Sequence, residues 1–235
     1  MPVTSYGIAC CRKNTNGQYE ILMIKKKCTY AYSEFVRGIY DVNHKQNLIH
    51  LFDNMTIDEK ICIQTQNFET IWIKSHGMAP DGEKNNYGRG FKKFNTLVKI
   101  NNGQYLQEII HSSINVELLW EIPKGRPDKK EVPVETAVRE FNEETHIEKK
   151  QYRILFDESP ITYSFTDSGI RYVYIYYIAI MNSNRFVPRF VYSSSHMQRE
   201  VGNIKFLSTD KIKLLNNTRL YKLCKTITTK VKRYI

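Results

Sequence analysis

Glu140, Glu143 and Glu144 crowd into five positions of the stretch GRPDKKEVPVETAVREFNEETHI, residues 125–147. On a helix, like charges three or four residues apart repel, so the cluster costs stability unless something neutralises it. Pro133 suits a first helical turn, where its missing N–H is no loss. From there Val134, Ala137, Val138, Phe141 and Thr145 recur at helical spacing and predict a buried stripe. At about 100° per residue, Glu140 and Glu144 flank that stripe and Glu143 lies one step further round. Hard carboxylate oxygens on one side of an anchored helix suit Mg²⁺ or Mn²⁺, which would offset the repulsion. The plainer alternative is a solvated acidic face. Arg139 stands beside them, and Glu135, four residues earlier, is expected to brace the helix by pairing with it.

The elements that must position this helix are legible around it. SYGIACCRK (5–13) and YEILMIKKK (19–27) are apolar runs joined by Asn-Gly turn chemistry, which predicts a hairpin. From about 30 to 114 the apolar spacing is helical, with Ser33 and Thr56 as expected N-caps and Glu59 completing a capping box with Thr56. A Gly-, Pro- and Asn-rich loop is expected over 75–90. Strand character returns at 116–123, 151–157, 161–167, 171–181 and 201–208, and the tail from 209 reads as a basic helix. The expected organisation is one discontinuous domain, 1–29 with 115–235, interrupted by a helical insertion over 30–114.

The 235-residue chain carries a net charge of +11 and a pI near 9.3. That balance points to a polyanionic partner, nucleic acid or an anionic surface. Five cysteines without a pairing pattern argue for a reducing compartment, and the chain lacks an apolar run long enough to span a membrane, so a cytoplasmic protein is expected. Candidate RNA contacts are Lys25 and Lys27 at the second strand, and Lys92 and Lys93, whose neighbours Phe91 and Phe94 would alternate charge with stacking surface. Lys222 and Lys225 in the tail could extend the track. Each patch could equally be solvated surface.

Gly125, Glu131 and REFNEETHI stand at the spacing of the Nudix box: Gly, five residues, Glu, seven residues, Arg-Glu-apolar-any-Glu-Glu-any-Gly-apolar. The chain is therefore similar to the Nudix hydrolases. The single departure is His146, where the family has a Gly that ends the helix in the left-handed region; His visits that region more readily than most residues. The resemblance implies an α/β/α sandwich on a mixed sheet, with the inserted helical domain added to it. It implies hydrolysis of a diphosphate linked to another group. LWEIPKGRP (119–127) and the Glu200, Val201, Ile204, Phe206 pattern resemble the mRNA-decapping branch of the family, and the helical insert with AYSEFV (31–36), DNMTIDEK (53–60) and LLWEIPKGRP (118–127) resembles its members in African swine fever virus and giant DNA viruses.

Membership of that branch would imply hydrolysis of the m7GpppN cap to m7GDP and 5′-monophosphate RNA in a host cytoplasm. Glu140, Glu143, Glu144 and Glu200 would be the metal ligands. Glu144 and Glu200 compete as general base, with Glu200 favoured. Arg139 would orient the catalytic glutamates, Glu131 would hold the loop, and Lys124 beside Gly125 would contact phosphate. Two other readings stay open: a hydrolase of diphosphoinositol polyphosphates or nucleotides, and an RNA-binding protein with an inactive box. The residues do not fix the oligomeric state.

Overall fold

The computed structural model describes residues 2–77, 84–167, 169–189, 200–215 and 217–235. The chain divides into two compact units, residues 1–25, 120–192 and 203–235 forming one, and 26–119 with 193–202 the other.

The first unit is built on a sheet containing eight strands among the described residues. β1 (Val3–Lys13) and β2 (Tyr19–Lys26) form the predicted hairpin. Its turn is closed by Asn14, whose side-chain oxygen accepts the N–H groups of Asn16 and Gln18. β3 (Trp120–Glu121) pairs with β2. The strand expected over 116–123 is thus only two residues long, and β4 (Lys124–Gly125) follows separately against β1. Pro123 lies between them and has no N–H for the ladder. Gly7 of β1 admits this close approach, because a Cβ there would lie 2.2 Å from the Pro123 carbonyl oxygen.

β5 (Tyr152–Ile154) and β6 (Ile161–Asp167) both run antiparallel to β7 (Ile170–Met181), whereas β1 runs parallel to it, so the sheet is mixed. β8 (Val201–Ser208) joins β2. In a strand, alternate residues face opposite sides. On β1 and β7, Ala9, Cys11, Tyr176, Ile178 and Ile180 share a core with Leu223, Cys224 and Ile227 of the tail. The opposite side carries Tyr152, whose ring meets Phe141 edge-on at 5.0 Å. Phe141 belongs to α7 (Pro133–Thr145), which has the proline in its first turn. The tail forms α8 (Thr209–Lys213) and α9 (Thr218–Val231). Helix, sheet and helix therefore make the expected three layers.

The second unit is helical: α1 (Tyr30–Val36), α2 (Lys45–Asp53), α3 (Ile57–Thr65), α4 (Phe68–His76), α5 (Lys84–Lys99) and α6 (Gln104–Ser112). The long helical run expected from residue 33 is broken at Gly38, which has φ of 68°, and at Asp41, whose side chain caps the N–H of Asn43. Thr29, not Ser33, caps α1, accepting the Tyr32 N–H, while Ser33 lies inside the helix. Thr56 and Glu59 form the predicted capping box. The loop expected over 75–90 ends early, since α5 begins at Lys84; residues 78–83 lie outside the described residues. Trp72, Tyr32, Phe35 and Phe52 anchor an apolar core of this unit's own.

Candidate active site

The loop before α7 and the helix itself are tied together by one guanidinium. Arg139 donates through Nε and Nη2 to the two oxygens of Glu131, at 2.9 and 3.0 Å. Its Nη1 donates to Glu140 Oε1 at 2.9 Å and to Glu143 Oε2 at 3.1 Å. Nη2 also reaches the Arg126 carbonyl at 3.0 Å. Glu131 accepts in addition from the Asp128 N–H at 3.0 Å and the Thr136 hydroxyl at 2.9 Å. The bidentate guanidinium, with those two donors, holds the Glu131 carboxyl down at about 2, and the same carboxylates push Arg139 further up. Glu135 is not the partner of Arg139. Its carboxylate turns back to the Val132 N–H, at 3.4 Å, as a cap of the helix start.

Glu144 is buried, and its Oε2 accepts the backbone N–H of Lys124 at 2.9 Å. Glu140 lies over Gly125 so closely that a Cβ on that glycine would fall 2.0 Å from its carboxyl carbon. A glycine at 125 is thus a steric requirement of the Glu140 position. The helix ends at His146, in the left-handed region with φ of 54°. Its Nε2 is buried and makes no hydrogen bond among the described residues.

Lys124 is also buried. Its ammonium lies 2.7 Å from Glu121 and 4.7 Å from the centre of the Tyr174 ring. The sequence reading treated it as a phosphate contact and missed Glu121, Asp128 and Thr136; the three-residue spacing of Glu121 and Lys124 was the available signal. Of the stripe, Ala137, Phe141 and Thr145 are buried, whereas Val134 and Val138 are half-buried.

The structure brings Lys124, Gly125, Glu131, Arg139, Glu140, Glu143 and Glu144 into one constellation of the α/β unit. Lys25 is in the same unit, half-buried, and Lys222 and Lys225 are exposed on α9. Glu200 and Lys27 belong to the helical unit, where the Lys27 N–H donates to the Glu200 carbonyl at 2.8 Å and the Glu200 carboxylate lies 3.1 Å from Lys26. Lys92 is exposed on α5. Lys93 instead donates to the Tyr40 carbonyl, and Phe94 is a core residue, so the expected alternation of charge and stacking surface does not form there. Helix packing took precedence over the sequence pattern.

Carboxylate oxygens are the donor chemistry of a hard divalent cation, and Glu140, Glu143 and Glu144 supply it on one helix. Among the described residues, no three acidic, imidazole or thiol side chains converge as a ready cage. Arg139 draws Glu140 and Glu143 to itself, so these two are restrained by a cation already. No described helix is long and apolar enough to cross a membrane.

A family model described as NUDIX domain matches residues 101–224. The mRNA-decapping protein g5R of African swine fever virus (strain Badajoz 1971 Vero-adapted) is 32% identical over 226 residues, covering 94% of this chain and 89% of that protein. A protein of Acanthamoeba polyphaga mimivirus is 28% identical over 214 residues, covering 81% of this chain and 58% of that protein. Among solved structures, a C. elegans Ap4A hydrolase in a binary complex aligns with a TM-score of 0.50 at 15% identity, covering 99% of both chains. That likeness concerns the fold.

Proposed function

The chain belongs to the Nudix hydrolase family, and we propose that its reaction is mRNA decapping: hydrolysis of the m7GpppN bridge to m7GDP and RNA with a 5′-monophosphate. The observation that carries this reading is the 32% identity, running through 94% of the chain, to a protein named for decapping. The box residues support it, since all of its acidic positions are filled. We place the activity in the cytoplasm of a host cell, where capped mRNA is translated.

The cap's phosphate bridge is multiply anionic, so attack by water requires charge neutralisation. Glu140, Glu143 and Glu144 would hold Mg²⁺ or Mn²⁺, which when bound supplies that neutralisation and a more acidic water. Arg139 positions Glu140 and Glu143, and Glu131 fixes Arg139 against the loop. The Lys124 N–H orients Glu144, which we assign as a metal ligand rather than the base. We keep Glu200 as the proposed general base on the strength of its sequence pattern, Glu200, Val201, Ile204 and Phe206, which resembles the decapping branch. Lys124 and Gly125 border the phosphates. Lys25, Lys27, Lys92, Lys222 and Lys225 attract the RNA body, and Lys93 contributes charge while holding α5 to Tyr40.

The test is to incubate the protein with Mg²⁺ or Mn²⁺ and a long RNA whose m7G cap is radiolabelled, with Glu144→Gln and uncapped competitor RNA as controls. Released m7GDP that vanishes in the variant and falls with competitor supports the reading. Turnover of diphosphoinositol polyphosphates or free nucleotides, with no release from RNA, would overturn it in favour of a small-molecule hydrolase.

A further inference from the structure

β6 and β7 pair so that Tyr163 lies opposite Tyr174 and Phe165 opposite Tyr172. Strand alternation puts all four rings on one face of the hairpin. They contact one another in a row: Phe165 stacks on Tyr172 at 5.2 Å with 17° between planes, and meets Tyr174 at 5.3 Å and Tyr163 at 5.7 Å. On the same face and strand, Tyr176 is 3% exposed within the core under α9, and Tyr174 packs against that core. The other three rings lie beyond it and are half-buried. The sheet therefore carries its aromatic face past the helix that covers it.

One residue connects this face to the box. Lys124 places its ammonium 4.7 Å from the Tyr174 ring centre and its backbone N–H 2.9 Å from Glu144. We propose that Tyr163, Phe165, Tyr172 and Tyr174 form a stacking platform for the bases of single-stranded RNA that follow the cap; this rests on the decapping reading. Lys124 thus touches Glu144 through its backbone and the aromatic row through its side chain. Stacking suits the task because every base has a π-face, so the platform accepts any RNA sequence. A decapping enzyme must do the same. The net charge of +11 favours the same polyanion.

The test measures binding of a short, uncapped 5′-monophosphorylated RNA to the full chain by fluorescence anisotropy. The RNA is either intact or abasic at the nucleotides next to its 5′ end. In the wild type, loss of the bases weakens binding roughly 10-fold. Phe165→Leu and Tyr172→Leu weaken intact RNA by a similar factor and abolish the difference between the two RNAs. Tyr172→Phe, which keeps the ring, restores it.

A base dependence that persists unchanged in both Leu variants, or is absent in the wild type, overturns the proposal. So does an equal loss of affinity for free m7GDP, which would give the rings to the cap base. Turnover of capped RNA is measured in parallel. Release of m7GDP without base-dependent binding overturns the platform alone. Base-dependent binding without release overturns the decapping reading and upholds the platform.

Discussion

Glu59 in the helical unit and the Arg139-bound glutamates in the α/β unit are held in opposite ways. In the helical unit, Glu59 is 2% exposed and accepts from three neutral donors: the Thr29 N–H at 2.7 Å, the Thr29 hydroxyl at 2.8 Å and the Thr56 N–H at 2.9 Å. Its neighbour Lys60 is equally buried and turns away, donating to the Ser113 hydroxyl and the Ile114 carbonyl. In the α/β unit a single guanidinium hydrogen-bonds to three carboxylates, Glu131, Glu140 and Glu143, with a fourth, Asp128, at 3.7 Å. Neutral donors from two segments, at Thr29 and Thr56, close a site and fasten elements together. A cation shared among several acids gathers their oxygens on one side of the helix, which is the condition a second cation needs.

If the contrast is sound, Glu144→Gln breaks it at its most costly point. Release of m7GDP from capped RNA should fall by more than ~100-fold, beyond the range for residues that only orient metal ligands, while the melting temperature stays close to wild type. Arg139→Gln comes next. It frees all three carboxylates from their shared partner, so turnover should fall ~10–100-fold, and the Mn²⁺ concentration giving half-maximal rate should rise. A rate loss with an unchanged metal requirement would show that Arg139 does not position the ligands.

Glu59→Gln tests the other side. It replaces charged hydrogen bonds in a buried site and should destabilise the protein by about 1.5–3 kcal/mol in a denaturant titration. Turnover of a free cap dinucleotide should be unchanged at temperatures where the variant is folded.

A smaller effect separates the two chemistries by pH. Glu131 has its carboxyl lowered from 4.5 to about 2 by Arg139 and the Asp128 N–H. A depressed acid stabilises the fold above its unfolded value, and that contribution fades as pH falls through the folded one. The melting temperature of Glu131→Gln should therefore lie below wild type at pH 7, and the gap should narrow between pH 4.5 and 2. The least expected effect is a gain. His146→Gly removes both a left-handed side chain and a buried nitrogen without a partner, and should stabilise by about 1 kcal/mol, or a rise in melting temperature of about 2–4 °C.

What the sequence disclosed follows from where the deciding forces lie. The spacing of Gly125, Glu131 and the box glutamates was readable because one helix and its entry loop set that geometry. The Thr56 capping box and the Pro133 start were readable for the same local reason. The partner of Arg139 was not: Glu135 has the favoured four-residue spacing, yet Glu131, eight residues away, receives the guanidinium because the loop folds back over the helix. Thr29 replaced Ser33 as a cap because Glu59 fixes its backbone from thirty positions away. The alternation of charge and stacking surface at Lys93 and Phe94 was misread because nothing local shows that α5 presses one face into the helical core. The Lys124–Tyr174 contact joins segments that only the sheet brings together.

The parallel pairing of β1 with β7 sets Val3 beside Tyr172 and Cys11 beside Ile180. Its cost is chain entropy, because a loop of roughly 170 residues must close before any of those bonds form. A hairpin of β1 and β2 alone is marginal in water, so during synthesis it waits for β3, β4 and α7, and its pairing with β7 waits longer still. The helical unit, whose elements follow one another in sequence, has no such delay and can condense first. Once compact, it shortens the distance that the strands on either side must bridge. The interruption in the sheet domain would then also serve as the step that makes the rest of the fold reachable.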